Sequence, residues 1–200
     1  MFFYNTPLPV VAAEVGGIMT MMTSRRQDSM LVLIKPFYQL TLNLMGLAKN
    51  PLEVSGEIFD DKHAEETRNV TSLLCLKLQT LLLAYLFGEF SGAAALVDEI
   101  ESLGSPPPGI DQIFCSFFVG MAKLALARNS MAFTRMRYVR RAKRTIQQFK
   151  VWSLHSPHNC LALKFLLEAE LASVSGARKK AYEKFTAASA MAVEAGFLMI

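Results

Sequence analysis

The amino-acid sequence predicts an all-α protein in which antiparallel helical hairpins stack as an α-solenoid of about eight helices. Every long segment places apolar residues at the 3.6-residue helical period, and none alternates apolar and polar residues over the length of a strand. A helix-ending residue recurs after three of these segments, at Gly88, Asn129 and Gly176. The intervals of 41 and 47 residues match one helix-turn-helix unit of a stacked solenoid.

Composition and hydropathy indicate a folded chain without a membrane-spanning segment. Of the 200 residues, 52% are apolar and 19% charged, which fits one or two packed domains and excludes a disordered chain. Mean hydropathy is high, at +0.28, yet no stretch reaches the roughly 18 uncharged apolar residues that a membrane span needs. The first cation, Arg25, follows the N-terminal apolar residues, which argues against a secretory signal. We therefore expect a cytoplasmic protein.

The cysteine pattern supports the same compartment. Cys75, Cys115 and Cys160 are odd in number, widely spaced and set among apolar residues of predicted helices. A disulfide framework would need paired cysteines in an oxidising environment. We expect three buried thiols in a reducing compartment.

In the first half of the chain, helix signals and breakers predict four helices. Pro36 lies inside the second helix and should kink or restart it, because proline has no backbone N–H to donate. Asp60 or Asp61 is the expected N-cap of the third helix, which should end at Gly88. The predicted helices span residues 9–23, 28–45, about 61–88 and 91–103, with a loop at residues 50–59.

The second half begins after the clearest break in the chain. Residues 104–109 read Gly-Ser-Pro-Pro-Pro-Gly and cannot be helical. Ser156 followed by Pro157 is a strong helix-start signal, because proline fits the first helical position. Phe149 and Trp152 are expected to pack where the sixth helix meets the fifth and seventh. The predicted helices span residues 110–128, 130–154, 156–175 and 177–195.

The end of the sequence opens a further apolar segment. Residues 197–200 read Phe-Leu-Met-Ile directly after the helix-ending Gly196. A solenoid normally ends in a repeat with a polar outer face. We therefore expect residues 1–200 to form a single helical-repeat region that belongs to a longer solenoid.

Few residue groups in the chain suggest chemistry. No glycine-rich phosphate loop is present. His155, His158 and Cys160 are the candidates for a metal site, but their spacing does not fit zinc hairpins. The same residues are the candidates for a cysteine nucleophile with a histidine base, but apolar neighbours raise the pKa of a thiol and lower its reactivity. Adjacent carboxylates point in different directions on a helix. We expect no catalytic residue, no metal and no cofactor, and hence no enzyme.

The charge distribution gives a candidate binding surface. Ten Lys or Arg residues and no Asp or Glu lie between Gln112 and Leu167, whereas the rest of the chain has 11 basic and 17 acidic side chains, a net charge of −6. On a helical wheel most of these cations lie opposite an apolar stripe formed by Val139, Ala142, Ile146 and Phe149. The candidate partner-binding residues, here named the basic ridge, are Arg137, Arg140, Arg141 and Arg144.

Three interpretations of the basic ridge stay open. It could be a solvated outer face, it could bind an acidic protein, or it could bind nucleic acid or anionic lipid. Nucleic-acid modules usually interleave aromatic residues with cations, and here only Tyr138 does so. A solvated outer face and a site for an acidic protein are therefore both favoured over a nucleic-acid site.

Three stretches together resemble a known helical region. They are Ile34–Gly46 (IKPFYQLTLNLMG), Leu83–Phe90 (LAYLFGEF) and a third set of Trp152, Ser156-Pro157-His158-Asn159, Lys164, Leu166–Ala172, Gly176, Tyr182 and Ala195-Gly196-Phe197. In order and spacing they are similar to the tetratricopeptide-like (TPR-like) region that follows the ATPase module in large signalling proteins. Those proteins combine a protein-kinase-like domain, an AAA-type ATPase, a GAF sensor and a histidine-kinase or cyclase module.

The resemblance covers residues 27–200 and implies a function without catalysis. It implies a TPR-like scaffold region of a signalling ATPase or kinase, which contacts protein partners or the flanking domains of its own polypeptide. Where the family often has Cys-Pro-Glu-Asn, this chain has Ser-Pro-His-Asn at residues 156–159. The alternative is a free-standing adaptor that binds an acidic protein partner through the basic ridge.

Overall fold

The computed structural model describes residues 6–56, 59, 69–90, 92–104 and 110–196, and within them the chain is entirely helical. No strand occurs in this part of the chain, so the all-α prediction is confirmed, and eight helices are described. They are α1 (Leu8–Ser24), α2 (Asp28–Leu44), α3 (Val70–Leu86), α4 (Ala93–Leu103), α5 (Ile110–Arg128), α6 (Ala132–His155), α7 (Pro157–Val174) and α8 (Arg178–Ala195).

The helices fall into two compact units. The division falls between Leu103 of α4 and Ile110 of α5, where the sequence has its clearest break. The first unit contains α1 to α4 and the second contains α5 to α8. That both belong to one continuous TPR-like solenoid over residues 1–200 stays a prediction.

In the first unit each helix packs against the next one in the chain. Contacts join α1 with α2, α2 with α3, and α3 with α4. This arrangement follows from the helical period, because a face of apolar residues on each helix must be covered by a neighbour. Fully buried side chains from this unit are Val11, Leu40, Leu81, Leu83 and Val97.

Helix α3 begins later than its sequence predicts. Its first residue is Val70, and the Asn69 side chain is the N-cap: Oδ1 accepts hydrogen bonds from the backbone N–H groups of Thr71 and Ser72, both at 3.1 Å. Asn69 thus satisfies two of the donors that have no intrahelical partner. A single helix that runs through residue 69 is therefore not observed, because Asn69 has an extended backbone conformation. The predicted caps Asp60 and Asp61 lie outside the described part of the chain.

Helix α2 continues through Pro36 instead of restarting there. The prolyl ring is less than 2% exposed. Proline removes one intrahelical hydrogen bond at a cost of about 3 kcal/mol in an isolated helix. Burial of the ring in the tertiary structure offsets this cost, which the local sequence cannot show.

The buried face of α2 holds the loop that follows it. Asn43 Oδ1 accepts a hydrogen bond from Gln39 Nε2 at 3.0 Å. The Asn43 amide Nδ2 faces three loop carbonyls, at 3.3 Å from Asn50 O, 3.1 Å from Pro51 O and 2.7 Å from Glu53 O. One buried side chain therefore fastens the predicted loop to the helix.

The loop also approaches α2 closely at Gly56, and this contact makes a testable prediction. A Cβ atom on Gly56 would lie 2.6 Å from Gln39 Oε1 and 3.0 Å from Nε2. Gln39 is 2% exposed and held by its hydrogen bond to Asn43, so it has little room to move. We expect Gly56→Ala to lower the free energy of unfolding by about 1–3 kcal/mol, measured by urea denaturation.

Gly17→Ala is the matched control. No atom lies within 4 Å of a Cβ at Gly17, which is exposed within α1. There the substitution should raise stability by about 0.5–1 kcal/mol, because alanine loses less backbone entropy on forming a helix. Equal effects of the two substitutions would show that the loop does not pack on Gln39.

The second unit has the contacts expected of neighbouring hairpins. Contacts join α5 with α6, α6 with α7, and α7 with α8, and α5 also contacts α7. A Cβ atom on Gly120 of α5 would lie 2.8 Å from Leu167 Cδ2 and 3.0 Å from Thr145 Cγ2, so glycine lets α5 approach both neighbours. Helices α7 and α8 are in contact, and several of their buried residues are small: Ala169, Ala172, Ala181, Ala188 and Ala192.

Two of the three recurring turns are alike in structure. Gly88 and Gly176 have φ angles of 71° and 77°, a left-handed conformation that suits glycine. In each turn the next N–H donates to the carbonyl five residues earlier, at 2.8 Å and 2.9 Å, a Schellman closure. The turn at Asn129 differs, because Asn129 has no positive φ and Ser130 Oγ donates to Leu126 O instead. The repeated sequence signal therefore stands for two kinds of turn.

Phe149 and Trp152 contribute unequally to the core of the second unit. Phe149 is 0% exposed, as expected of a packing anchor, whereas Trp152 is only half-buried. Their rings meet edge to face, with centroids 5.1 Å apart and planes at 70°. Trp152 thus covers Phe149 and is not itself enclosed.

Candidate interaction surface

Helix α6 presents the longest helical face of the described chain. It has 24 residues, which corresponds to about 36 Å at 1.5 Å per residue. Its covered face carries Tyr138, Ala142, Thr145, Ile146, Phe149 and Ser153. Val139 of the predicted apolar stripe is half-buried, whereas Ala142, Ile146 and Phe149 are buried as expected.

The four residues of the basic ridge differ in their exposure to solvent. Arg137, Arg140 and Arg144 are exposed. Arg141 is half-buried, with its guanidinium carbon 5.7 Å from the centre of the Tyr138 ring, a cation–π distance. Tyr138 is itself buried, so it does not interleave with the exposed cations as the sequence analysis assumed.

Other cations of the basic region hold helices together. Arg135 Nη2 donates a hydrogen bond to the carbonyl of Val174, the last residue of α7, where a carbonyl has no intrahelical donor. Arg128 at the end of α5 pairs with Glu170 of α7. Both contacts join helices of the second unit, so some of the cations of this region bind other helices although they are exposed.

Exposed apolar side chains extend the candidate surface at both ends. Phe133 and Met136 are 81% and 53% exposed near the start of α6, and Val151 and Leu154 are 51% and 78% exposed near its end. With 3.6 residues per turn, these side chains and Arg140 and Arg144 between them fall within an arc of about 80°. The name α6 surface is used below for Phe133, Met136, Arg140, Arg144, Val151 and Leu154.

The sequence predicted the cations of the α6 surface, but the exposure of the apolar side chains at its two ends was not predicted. The signal was present as spacing, because Phe133, Arg137, Arg140 and Arg144 follow one another at intervals of four, three and four residues. Apolar residues on one helix face are usually core. Here the covered face is a different one, so these side chains remain in solvent.

The carboxylates on the neighbouring helix are already engaged. Glu170 pairs with Arg128, and Glu168 Oε2 lies 2.5 Å from Lys184 Nζ of α8. Between Gln112 and Leu167 the sequence has no Asp or Glu. The positive potential of the α6 surface therefore has no acidic residue on its own helix to offset it.

The residues considered for chemistry do not form a reactive group. His155 and His158 are exposed, whereas Cys160 is buried, and burial raises the pKa of its thiol above the ordinary value. Cys75 and Cys115 are half-buried, so the expectation of three buried cysteines is correct only for Cys160; none of the three forms a disulfide. In the described residues no group of three or more His, Cys, Asp or Glu side chains could hold a metal ion.

A small open cleft lies between α7 and α8. Its volume is about 210 Å³, and it is lined by Pro157, His158, Leu161, Ala162, Met191, Glu194 and Ala195. Pockets that bind small molecules usually have 300–1,000 Å³. The cleft is therefore small for a cofactor or a drug-sized ligand.

Two further observations bear on what the chain is. Helices long and apolar enough to cross a membrane do not occur in the part of the chain that the structure describes. Comparison with protein-family models, curated proteins and solved structures found no match to this chain. The resemblance to the TPR-like region of signalling ATPases thus rests on the sequence motifs alone.

Proposed function

We propose that this chain is a non-catalytic helical-repeat region that binds protein and holds the modules of a signalling ATPase or kinase in position. The observation that carries the proposal is the α6 surface, a helix face of about 31 Å between Phe133 and Leu154 that combines exposed apolar and cationic side chains. Exposed apolar side chains and cations on one helix face together offer burial and charge to a protein partner.

The packing of the second unit supports a scaffold role. Helices that follow one another in this unit are in contact, and α5 also contacts α7, the next helix but one. Small residues such as Gly120 and Ala181 bring the helices close together. A rigid array of this kind presents a surface at fixed geometry, as helical-repeat proteins do.

The parent protein is inferred from the resemblance. The motif at residues 83–90 includes the left-handed turn at Gly88, and the third set of motif residues includes the turn at Gly176. The kinase and ATPase activities would belong to flanking modules, since no nucleotide-binding motif lies in these residues. The location we propose is cytoplasmic.

A free-standing adaptor is the second candidate. The exposure of Arg137, Arg140 and Arg144 favours it, because cations of one sign on a helix face attract an acidic protein without any flanking module. The two candidates differ in the size of the polypeptide that carries these residues.

An antibody raised against the 200-residue chain tests the proposal in the cells that express the gene. We expect it to recognise a polypeptide much larger than 22.2 kDa, and the immunopurified polypeptide should hydrolyse ATP or transfer phosphate. The isolated 200-residue chain, as the matched control, should do neither. A native band near 22 kDa would contradict the scaffold proposal and favour the adaptor.

A further inference from the structure

We propose that the α6 surface binds an acidic amphipathic helix of a partner protein, with apolar residues near both ends of that helix and carboxylates between them. The inference rests on the protein-binding role proposed above and specifies the chemistry of the partner. It uses the apolar ends of the surface, which the charge pattern alone does not reveal.

The apolar ends set the length of the occupant. Phe133 and Leu154 are separated by 21 residues, or about 31 Å along the helix axis. Both side chains are more than three-quarters exposed, and Met136 and Val151 flank them on the inner side. A partner that covers both ends must therefore be an element of about 20 residues if it is helical.

The central arginines set the charge of the occupant. Arg140 and Arg144 lie one helical turn apart and are exposed. A guanidinium group matches the planar geometry of a carboxylate and can donate two parallel hydrogen bonds to it. The carboxylates of α7 are paired with Arg128 and Lys184, so Asp or Glu residues of the partner are the matching groups.

The order of the groups favours a protein helix over a membrane or a nucleic acid. A helix that lies on a membrane has a continuous apolar face with cations along its edges, whereas here Arg140 and Arg144 interrupt the apolar residues. Single-stranded nucleic acid stacks its bases on exposed aromatic rings, and on this arc only Phe133 offers one. A partner helix displays side chains at the same period as α6, so it can contact the two apolar ends and the central arginines at the same time.

A synthetic peptide is the probe. It is a 22-residue fluorescent helix with leucines at both ends and glutamates on the same face in the middle. Two matched peptides replace the glutamates with glutamine or the leucines with serine. Fluorescence anisotropy measures binding to the full 200-residue chain at about 0.05 and 0.5 M salt, between which screening removes most attraction between exposed charges.

Variants of the chain separate the two contributions. We expect Arg140→Glu with Arg144→Glu to weaken binding of the acidic peptide at least tenfold at low salt, and Phe133→Ser with Leu154→Ser to weaken it while the salt dependence remains. Lys179→Glu with Lys180→Glu is the control, since it changes the net charge equally at exposed positions of α8 and should leave binding unchanged. Far-UV circular dichroism checks each fold, and Arg140→Gln with Arg144→Gln replaces the reversal if that variant is not folded.

Several outcomes would overturn the inference. The first is that the α6 and α8 charge reversals weaken binding of the acidic peptide equally. The second is that the chain binds the glutamate and glutamine peptides with equal affinity. The third is that the chain binds phosphatidylserine vesicles or a single-stranded 20-nucleotide DNA more tightly than it binds the acidic peptide. Failure of this inference is distinguishable from failure of the proposed function. A large native polypeptide with ATPase or kinase activity would leave the scaffold role standing even if the acidic peptide does not bind.

Discussion

Phe149→Ala should lower the free energy of unfolding by about 3–5 kcal/mol, the largest effect expected of any single substitution discussed for this chain. Phe149 is 0% exposed on the face of α6 that is covered within the second unit. Removing the ring loses its burial and leaves a cavity that the packed helices can only partly fill. Urea denaturation followed by circular dichroism measures the change.

Trp152→Ala is the informative comparison. The indole contacts the Phe149 ring edge to face but is only half-buried, so we expect a smaller loss of about 1–3 kcal/mol. As the only tryptophan, it should emit between the wavelengths of a fully buried and a fully exposed indole. A larger loss for Trp152→Ala than for Phe149→Ala would contradict the burial assigned to the two rings.

Asn43→Ala should cost about 2–4 kcal/mol, the second largest effect. The substitution removes the donor that faces Asn50 O, Pro51 O and Glu53 O and the acceptor of Gln39 Nε2. Each buried polar group left without a partner costs about 1–3 kcal/mol, less where water can reach it. The loop should also become more accessible to protease, which limited proteolysis measures.

Two matched substitutions isolate the role of the Asn43 amide. Asn43→Asp keeps the size and the acceptor but removes the donor, so it should cost at least as much as Asn43→Ala. Asn50→Ala removes an exposed side chain whose Oδ1 accepts one hydrogen bond, from Leu52 N–H at 3.1 Å, and should cost no more than about 1 kcal/mol. An Asn43→Asp variant as stable as the unaltered chain would refute the proposed clamp.

Most helix boundaries could be predicted from residues close to each helix end. The fifth predicted helix, residues 110–128, coincides with α5, and the other predicted helices apart from the third agree with the structure to within about two residues at each end. Gly88 and Gly176 end their helices as predicted, because a left-handed glycine closes the last turn within a few residues. The predicted third helix does not run unbroken to residue 86, because Asn69 leaves the helical conformation and caps a helix that begins at Val70.

The candidate surface was predictable in its charge and not in its shape. The absence of carboxylates between Gln112 and Leu167 is a property of the sequence alone. Which arginines make contacts to other side chains or helices depends on the packing: Arg135 bonds to the end of α7 and Arg141 lies against Tyr138. Arg140 and Arg144 are exposed. The exposure of Phe133 and Leu154 was likewise not predictable, since helical spacing does not tell which face a neighbour covers.

By itself the sequence determined the helical class, most helix ends and the concentration of positive charge in the second half. All three depend on residues within a few positions of one another, through hydrogen-bonding period, capping and composition. Tertiary structure alone decided that α2 runs through Pro36, that Asn43 holds the loop at residues 50–53, and that apolar side chains flank the exposed arginines of α6. These features depend on contacts between packed helices and loops, where burial, steric fit and hydrogen-bond partners are set by residues that no local pattern brings together.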